Sequence, residues 1–371
     1  MKVLLLTWDF PPVRGGIQIW MGELARRLQG DEVHVLVPNQ PGAAEFDRKS
    51  GISTSRLAGA RLGLMPWLLE LCARTLWRCL VHRPEVIVCG HVVTAPAALL
   101  ARRLLGVPYV VFTHAYELRR KHRRRFLSIM LRNASIVIAN SGFTRSTVEA
   151  LGVPSERIRI VYPGVDAFRF TPRANGGVAS DGPVLFSVAR LAELYKGHDT
   201  VIRVLPLVRA RVPGARLRIA GDGPLREYLS RIAHSVAVGD AVEFLGEVAD
   251  DALPDLYRAS DAFVLMSRES PSKGGAEGFG IVILEAGACG KPVVAGRSGG
   301  LVDAVEDGVT GILGDPEDPA AVAEALIAVL SDQALAQRMG QAGRQRVLAR
   351  FTWDIVIGDA RKVFEEAITR G

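Results

Sequence analysis

The most constraining feature of the sequence is an alternation of short β-branched runs with amphipathic helical segments, which occurs twice along the chain. The first set of apolar runs is Val3–Thr7, Glu32–Val37, Val86–Cys89, Tyr109–Thr113 and Ser135–Ala139. The second set is Val184–Ala189, Leu217–Ala220, Val242–Leu245, Ala262–Met266 and Pro292–Ala295. Strands that alternate with helices predict crossover connections and parallel sheets. We therefore predict an α/β chain with two tandem Rossmann-like, doubly wound domains.

The length of the chain agrees with two domains, because 371 residues exceed the usual size of one hydrophobic core. The pattern breaks near Tyr162–Asp166, and the stretch Ala174–Gly182 has the composition of a linker or surface loop. We predict domains over residues 1–165 and 166–352, with a last helix over about 353–371 that packs back on the first domain. Ligands bind beyond the carboxyl ends of such strands, so facing domains would place the site in the cleft between them.

The chain is positively charged, with a formal net charge of +7. This charge suits anionic partners such as phosphates, acidic membranes or nucleic acids, and an arginine-rich solvated surface would explain it equally well. Because no basic motif is interleaved with aromatic residues, no nucleic-acid partner is predicted.

Cysteine usage and apolar segments predict a cytoplasmic protein. The four cysteines show neither a CxxC pair nor a zinc-ligand spacing, so we expect reduced, mostly buried thiols. The apolar start of the chain is shorter than the hydrophobic region of a signal peptide. The stretch that comes nearest to a membrane span, Leu62–Val81, is interrupted by Glu70, Arg74 and Arg78, which argues against a span.

Two strand-to-helix turns carry groups suited to an anion. Gly15 and Gly16 follow the first strand and precede a helix near Ile17, where backbone N–H groups could approach a phosphate. Arg190 and Lys196 follow a strand of the second set, and both side chains bind phosphates well. Each feature also has a plain structural explanation, a tight turn or two surface cations. The glycines do not form GxGxxG, so no dinucleotide cofactor is predicted.

The segment EGFGIVILE, from Glu277 to Glu285, is the richest motif. Its apolar run Ile281–Leu284 predicts a helix start, and Gly278 and Gly280 permit close approach of N–H groups to a phosphate. Glu277 lies just outside that start and Glu285 is expected about two turns into the helix, where it can reach the same ligand. The segment therefore predicts a site for phosphate and sugar.

With these motifs the chain resembles the family-four retaining glycosyltransferases of the GT-B fold over essentially its whole length. The resemblance rests on Gly15-Gly16, Phe112–Glu117 (FTHAYE), Pro163–Asp166 (PGVD), Arg190 with Lys196-Gly197, Glu277-x7-Glu285, Cys289–Gly296 (CGKPVVAG) and Ser298–Gly300 (SGG). It is nearest to the subgroup of bacterial phosphatidylinositol mannosyltransferases and polysaccharide mannosyl- or glucosyltransferases. It implies an N-terminal domain that takes the acceptor and a C-terminal domain that takes the nucleotide sugar, facing across a cleft.

The resemblance implies a role for each matching position. The catalytic residues would be His114, Glu277, Arg190 and Lys196. The donor-binding residues would be Gly15, Gly16, Arg190, Lys196, Gly246, Val248, Glu277, Gly278, Phe279, Gly280, Ile281, Val282 and Glu285. Among these, Gly16, Arg190 and Lys196 would hold the diphosphate, and Glu285 the ribose. Glu277 and the backbone after it would bind the donor sugar, beside His114, and the Gly246–Val248 turn would line the base pocket.

One motif departs from the family pattern. Many relatives have His-Gly where this chain has His114-Ala115, followed by Tyr116 and Glu117. The alanine looks like a mild change, whereas Tyr116 could reshape the acceptor side.

The implied reaction moves a hexose from a nucleotide sugar to a lipid-linked, polysaccharide or glycoside acceptor. Cations and N–H dipoles would stabilise the departing diphosphate. No Asp-x-Asp motif occurs in a suitable loop, which agrees with a metal-independent reaction that needs no cofactor. The resemblance favours GDP-mannose as donor, with a UDP-sugar as the alternative.

The N-terminal half also carries features typical of membrane binding. The basic run Arg119–Arg125 follows the His114 motif, and the helical segment Leu64–Val81 places Trp67 and Trp77 beside arginines. Basic clusters bind anionic lipid and tryptophan favours the interface. We expect peripheral binding to the inner face of the membrane, although a solvated face and a core helix would give the same pattern.

Two other functions remain open from the sequence. A nucleotide-sugar 2-epimerase would use the same scaffold, but is not expected to carry the Glu-x7-Glu context. A non-enzymatic sugar-binding protein is the other, and such proteins are usually exported.

Overall fold

The computed structural model describes residues 1–13, 15–28, 30–119, 123–173, 182–270 and 275–371. The chain divides into two compact units. The first is Met1–Pro163 with Trp353–Gly371, and the second is Gly164–Thr352. The break after Pro163 lies within the Tyr162–Asp166 segment, and the last helix groups with the first unit. The predicted linker Ala174–Gly182 lies, except for Gly182, outside the described residues.

Each unit is built on a parallel sheet. The strands of the first unit are β1 Lys2–Leu6, β2 Glu32–Pro38, β3 Thr54–Leu57, β4 Val86–Cys89, β5 Tyr109–Thr113, β6 Ile136–Ala139 and β7 Ile158–Ile160. The strands of the second unit are β8 Val184–Val188, β9 Arg216–Ala220, β10 Val242–Gly246, β11 Ala262–Leu265, β12 Val293–Gly296 and β13 Gly311–Gly314. The strand orders are β3-β2-β1-β4-β5-β6-β7 and β10-β9-β8-β11-β12-β13, and the pairings are parallel.

The α-helices of the described residues connect these strands and cover the sheets. They are α1 Gly16–Arg27, α2 Ala43–Ser50, α3 Leu64–His82, α4 Ala95–Leu105, α5 Arg124–Arg132, α6 Gly142–Glu149, α7 His198–Arg211, α8 Arg226–Ser235, α9 Leu253–Arg258, α10 Ile281–Ala288, α11 Leu301–Ala304, α12 Pro319–Ser331, α13 Gln333–Arg350 and α14 Trp353–Arg370. The last helix packs on the first sheet, where the Phe364 ring lies 6.3 Å from that of Phe112.

The prediction of two parallel-sheet α/β domains is confirmed. The predicted strands comprise the interior strands of both sheets and the edge strand β10. Strands β4, β5 and β6 are buried along their whole length, so they appear in the sequence as continuous apolar runs. Strands β3, β7 and β13 were not predicted. All three lie at sheet edges and contain polar residues or glycine, so they lack such a run.

The strand order reverses direction once in each sheet. In the first sheet the reversal lies between β1 and β4, and in the second between β8 and β11. At such a point neighbouring loops leave the sheet in opposite directions and open a crevice at the carboxyl ends of the strands. Both crevices are lined by residues that the motifs single out.

The apolar helices bear on the membrane question. Within the described ranges, no single helix is long and apolar enough to cross a membrane. The helices Pro319–Ser331 and Gln333–Arg350, which are bent by 95° relative to each other, reach that length and apolar composition only when they are taken together.

The cysteines are free thiols; Cys72 is half-buried and the other three are buried.

Candidate active site

A short ion pair lies in the crevice of the second sheet. The Lys196 Nζ is 2.5 Å from the Glu277 Oε2, and the two side chains are only 18% and 15% exposed. Burial by itself would lower the pKa of the Lys196 ammonium, but Glu277, Tyr195 and Glu193 together outweigh burial and raise that pKa. Lys196 is therefore held as a cation beside the residue predicted to bind the donor sugar.

Close backbone packing fixes the loop that carries Lys196. Gly197 has a φ of 77°, and a Cβ atom there would lie 1.9 Å from the carbonyl oxygen of Met266, just beyond β11. The backbone N–H of Arg268 donates to the carbonyl of Tyr195 at 2.8 Å. The Arg268 guanidinium also pairs with Asp199 at 3.0 Å. The loops after β8 and β11 are thus joined along the crevice, which explains the glycine after Lys196.

The helix predicted at Ile281 begins there, after Gly280 in the left-handed conformation with a φ of 90°. Glu285 lies four residues further on, which is about one turn. The prediction of two turns is wrong, because Glu277 and Gly278 belong to the preceding loop. The Tyr257 hydroxyl donates to the Glu285 Oε2 at 2.8 Å. Burial raises the pKa of Glu285, and this hydrogen bond opposes the shift.

The SGG motif supports the loop that carries Glu277. A Cβ atom at Gly300 would lie 2.0 Å from the carbonyl oxygen of Gly278, and the Gly300 N–H donates to the Glu277 carbonyl at 2.8 Å. The Phe279 side chain is buried and packs 5.8 Å from the Phe351 ring. Because its side chain is buried, Phe279 can offer a ligand only its backbone N–H, which is the group that the prediction assigns to it. Residues 271–274, in the loop before Glu277, lie outside the described part of the chain.

The other predicted donor residues lie where neighbouring strands of the second sheet end. Arg190 follows β8; its side chain is 85% exposed and its Nη2 is 3.9 Å from Glu193. Gly246 ends β10, and its carbonyl accepts from the Gly221 N–H at 2.7 Å. A Cβ atom at Gly221 would lie 2.0 Å from the Ala189 carbonyl, so these strand ends abut. Val248 follows on the same edge and is half-buried.

The crevice of the first sheet contains the glycine turn. Helix α1 begins at Gly16, and Gly15 precedes it with a φ of 155°. The Gln18 side-chain amide donates to the Asp9 carboxylate at 2.7 Å. Asp9 and Gln18 were not predicted, although the place of Asp9 directly after the first strand is a usable signal. Arg14 lies outside the described residues.

His114 is buried at the end of β5, and its Nε2 lies 2.9 Å from the Gly90 carbonyl oxygen. Glu117 folds back and accepts from the His114 backbone N–H at 2.7 Å, so it holds the turn. Ala115 between them is fully buried and has a φ of 70°. The change from glycine is therefore not mild, because a non-glycine residue in this region costs about 1–2 kcal/mol. Tyr116 is exposed.

Groups of three or more His, Cys, Asp or Glu side chains suited to a metal ion are not found among the residues that the structure describes.

Two family models match the chain, Glycosyltransferase Family 4 over residues 14–169 and Glycosyl transferases group 1 over residues 169–346. The GDP-mannose-dependent alpha-(1-6)-phosphatidylinositol monomannoside mannosyltransferase of Mycobacterium tuberculosis is 36% identical over 372 aligned residues, which cover 95% of each chain. The chain is a family-four glycosyltransferase. The chain is therefore a transferase, and the two alternatives that the sequence left open, an epimerase and a sugar-binding protein, are not supported.

Solved structures show that the glycosyltransferase has the GT-B fold. Anabaena Alr3699/HepE, in complex with UDP and glucose, matches with a TM-score of 0.80 at 22% identity and covers 98% of this chain and 99% of its own. A glycosyltransferase from Rickettsia africae matches with a TM-score of 0.84 at 18% identity over the full length of both chains. At these identities the likeness establishes the fold of the glycosyltransferase and not its substrates.

Proposed function

We propose that this glycosyltransferase transfers mannose from GDP-mannose to a phosphatidylinositol-mannoside type of glycolipid, with retention at the anomeric carbon and without a metal ion. The Lys196–Glu277 ion pair in the crevice of the second sheet carries the proposal for the donor. The choice of mannose and of a glycolipid rests on what the Mycobacterium tuberculosis relative is named to use.

The leaving group of this reaction is a nucleoside diphosphate, which gains negative charge as the glycosidic bond breaks. Lys196, Arg190 and the N–H groups at the start of α10 supply positive charge and dipoles for its oxygens. When donor binds, Glu277 exchanges part of its contact with Lys196 for hydroxyl groups of the hexose, and the diphosphate takes its place beside the cation. The acceptor hydroxyl attacks on the face that the diphosphate leaves, and a phosphate oxygen takes its proton.

A nucleotide panel tests the donor half directly. GDP, UDP and ADP are each titrated in a thermal-shift assay, and GDP at 100 times its dissociation constant should stabilise the fold by about 2.7 kcal/mol. Glu285→Ala should weaken that shift, because the variant loses the carboxylate assigned to the ribose. Glu324→Ala, which removes an exposed carboxylate of α12, should behave as the parent chain. If UDP alone stabilises the protein, the donor is a UDP-sugar. If no nucleotide does, the donor site is wrongly assigned.

We also propose that the glycosyltransferase binds the anionic inner face of the membrane through α3. Four large apolar side chains of this helix, Met65, Leu69, Trp77 and Leu80, are between 48% and 69% exposed. Their spacing of three, four or eight residues places them on one face of the helix.

The basic run contributes less than the sequence suggests. Arg119 lies over the Phe143 ring at 5.5 Å, and Arg124 donates to the Ala150 carbonyl at 2.9 Å. Residues 120–122 lie outside the described part of the chain. The apolar face of α3 is therefore the main support for membrane binding, and the Arg78 guanidinium lies 5.0 Å over the Trp77 ring of that face.

A liposome experiment tests this surface. Leu69→Asp combined with Leu80→Asp should abolish co-sedimentation with phosphatidylserine vesicles, because each leucine contributes about 1.5–3 kcal/mol when buried. Leu207→Asp, at an exposed apolar position of α7 in the second unit, should sediment as the parent chain does. Equal binding to neutral and anionic vesicles would contradict the electrostatic part, and binding by the double variant would contradict the role of α3.

A further inference from the structure

His91 occupies the crevice of the first sheet, directly after β4 and beside the end of β1. The preceding peptide is tightly held. The Gly90 N–H donates to the Leu6 carbonyl at 2.8 Å. A Cβ atom at Gly90 would lie 2.5 Å from the Met21 sulfur and 2.8 Å from the Thr7 hydroxyl oxygen. Close packing and this hydrogen bond therefore fix the position of the Gly90–His91 peptide in the crevice. None of the motifs that carry the family resemblance includes this peptide.

Two backbone groups, the Val93 N–H and the Gly90 carbonyl, assign the protons of the two imidazoles. The His91 Nδ1 accepts from the Val93 N–H at 3.1 Å, so the His91 proton is on Nε2. The Gly90 carbonyl can only accept, so the His114 Nε2 at 2.9 Å carries the proton of that ring. His91 consequently presents a donor, Nε2–H, and His114 presents an acceptor, the Nδ1 lone pair.

Burial keeps His91 neutral. It lowers the pKa of His91; the neighbouring His114 and Arg123 lower it further, and Glu117 and Asp9 oppose them. The His91 Nε2 and the His114 Nδ1 have no partner among the described residues, and neither is one of the fully buried unpartnered atoms. Both are thus available to a ligand.

We infer that His91 and His114 bind one hydroxyl group of a polyol between them, an inference that rests on the proposed glycosyl transfer. The hydroxyl oxygen accepts from the His91 Nε2–H, and the hydroxyl hydrogen is donated to the His114 Nδ1. The two ring centroids are 6.4 Å apart and the rings are inclined by 31°. Two hydrogen bonds of about 2.8 Å that meet at the tetrahedral angle of one hydroxyl oxygen place their nitrogens about 4.5 Å apart. Ring nitrogens that face each other across centroids 6.4 Å apart can reach that separation. The hydroxyl belongs either to the transferred hexose or to the acceptor glycan.

His91 also has a structural role, since its Nδ1 caps the turn that leads into α4. Two substitutions separate the roles. In His91→Asn the side-chain oxygen can replace Nδ1 at the cap, but no donor reaches the position of Nε2. In His91→Gln the amide nitrogen can replace Nε2, but the cap at Val93 is lost. If His91 is only a cap, the asparagine variant should keep the parent activity. If His91 binds a hydroxyl group, the glutamine variant should keep it and the asparagine variant should not.

The assay measures transfer from GDP-mannose to phosphatidylinositol monomannoside, and hydrolysis of GDP-mannose without acceptor. We expect His91→Asn to raise the KM for either GDP-mannose or the glycolipid by about tenfold or more. The melting temperature of this variant and its GDP-induced thermal shift should equal those of the parent chain. His91→Gln should keep the same KM within about threefold of the parent value. A higher KM for GDP-mannose in both reactions assigns the hydroxyl to the hexose. A higher KM for the glycolipid alone assigns it to the acceptor.

Parent-like KM values in His91→Asn would overturn the inference and leave His91 as a cap. The proposed function fails separately, when GDP does not stabilise the parent chain.

Discussion

Lys196→Met is expected to lower kcat by roughly 10²- to 10³-fold, the loss typical when one group that stabilises developing negative charge is removed. Lys196 is the cation that the structure holds most firmly near the predicted diphosphate, at 2.5 Å from Glu277 and mostly buried. The methionine keeps the length of the side chain and removes only its charge and hydrogen bonds. The measurement is single-turnover transfer from GDP-mannose at saturating donor.

The same substitution should also destabilise the fold, because it leaves the Glu277 carboxylate without its partner in a mostly buried place. Breaking such a pair costs about 3–5 kcal/mol in the free energy of unfolding. Adding Glu277→Gln to Lys196→Met removes the unpaired charge, so stability should return while kcat remains low. Recovered stability in the double variant would identify the unpaired carboxylate as the cause of the destabilisation, and would exclude unfolding as the cause of its low kcat.

A matched control comes from Lys291, a half-buried lysine that precedes β12. It lies at the amino ends of the strands of the second sheet, whereas Lys196 lies beyond their carboxyl ends. Burial lowers the pKa of Lys291. Lys291→Met should leave kcat within about twofold of the parent, as expected for a group that no ligand contacts. A parent-like kcat in Lys196→Met, or an equal loss in Lys291→Met, would contradict the assignment of Lys196.

Gly197→Ala should have the second large effect. Its kcat/KM should fall about 100-fold, and GDP should no longer raise its melting temperature. A Cβ atom 1.9 Å from the Met266 carbonyl cannot be accommodated unless the backbone moves. Movement of the loop displaces Lys196, and a displacement of about 1 Å at a reacting centre can cost 10²-fold.

Gly308→Ala separates this displacement from backbone strain. Gly308 has a φ of 75°, close to the 77° of Gly197, but a Cβ atom there has no neighbour within 4 Å. Both variants should lose about 1–2 kcal/mol of stability from the left-handed conformation. Only Gly197→Ala should lose nucleotide binding. If Gly308→Ala loses it equally, strain and global destabilisation explain both variants.

The difference between interior and edge strands shows what limits prediction of the fold. Strand β4 is predictable because it is buried on both faces and contains only apolar residues. Strand β3, Thr54–Leu57, pairs with β2 along its whole length, but an edge position tolerates Thr, Ser and Arg. Its pairing with β2 is a tertiary property, so no local apolar pattern marks it.

The candidate site divides in the same way. The helix start at Ile281 follows from local chemistry, since Gly280 permits the left-handed residue before an apolar run. The Lys196–Glu277 pair joins residues 81 positions apart, and no periodicity specifies such a contact. A histidine directly after a strand, such as His91, is equally without a local signal, because its hydrogen-bonding role depends on which strand lies beside it.

The sequence by itself determined the class of the fold and the helix starts near Gly16 and Ile281. Burial, periodicity and backbone freedom are properties of short segments, and short segments can be recognised without the rest of the chain. Only the tertiary structure decided that Lys196 is paired with Glu277, that Ala115 is strained and that the Gly90 carbonyl assigns the proton of His114. These are properties of strand order, which brings together at one sheet edge groups that the chain keeps far apart.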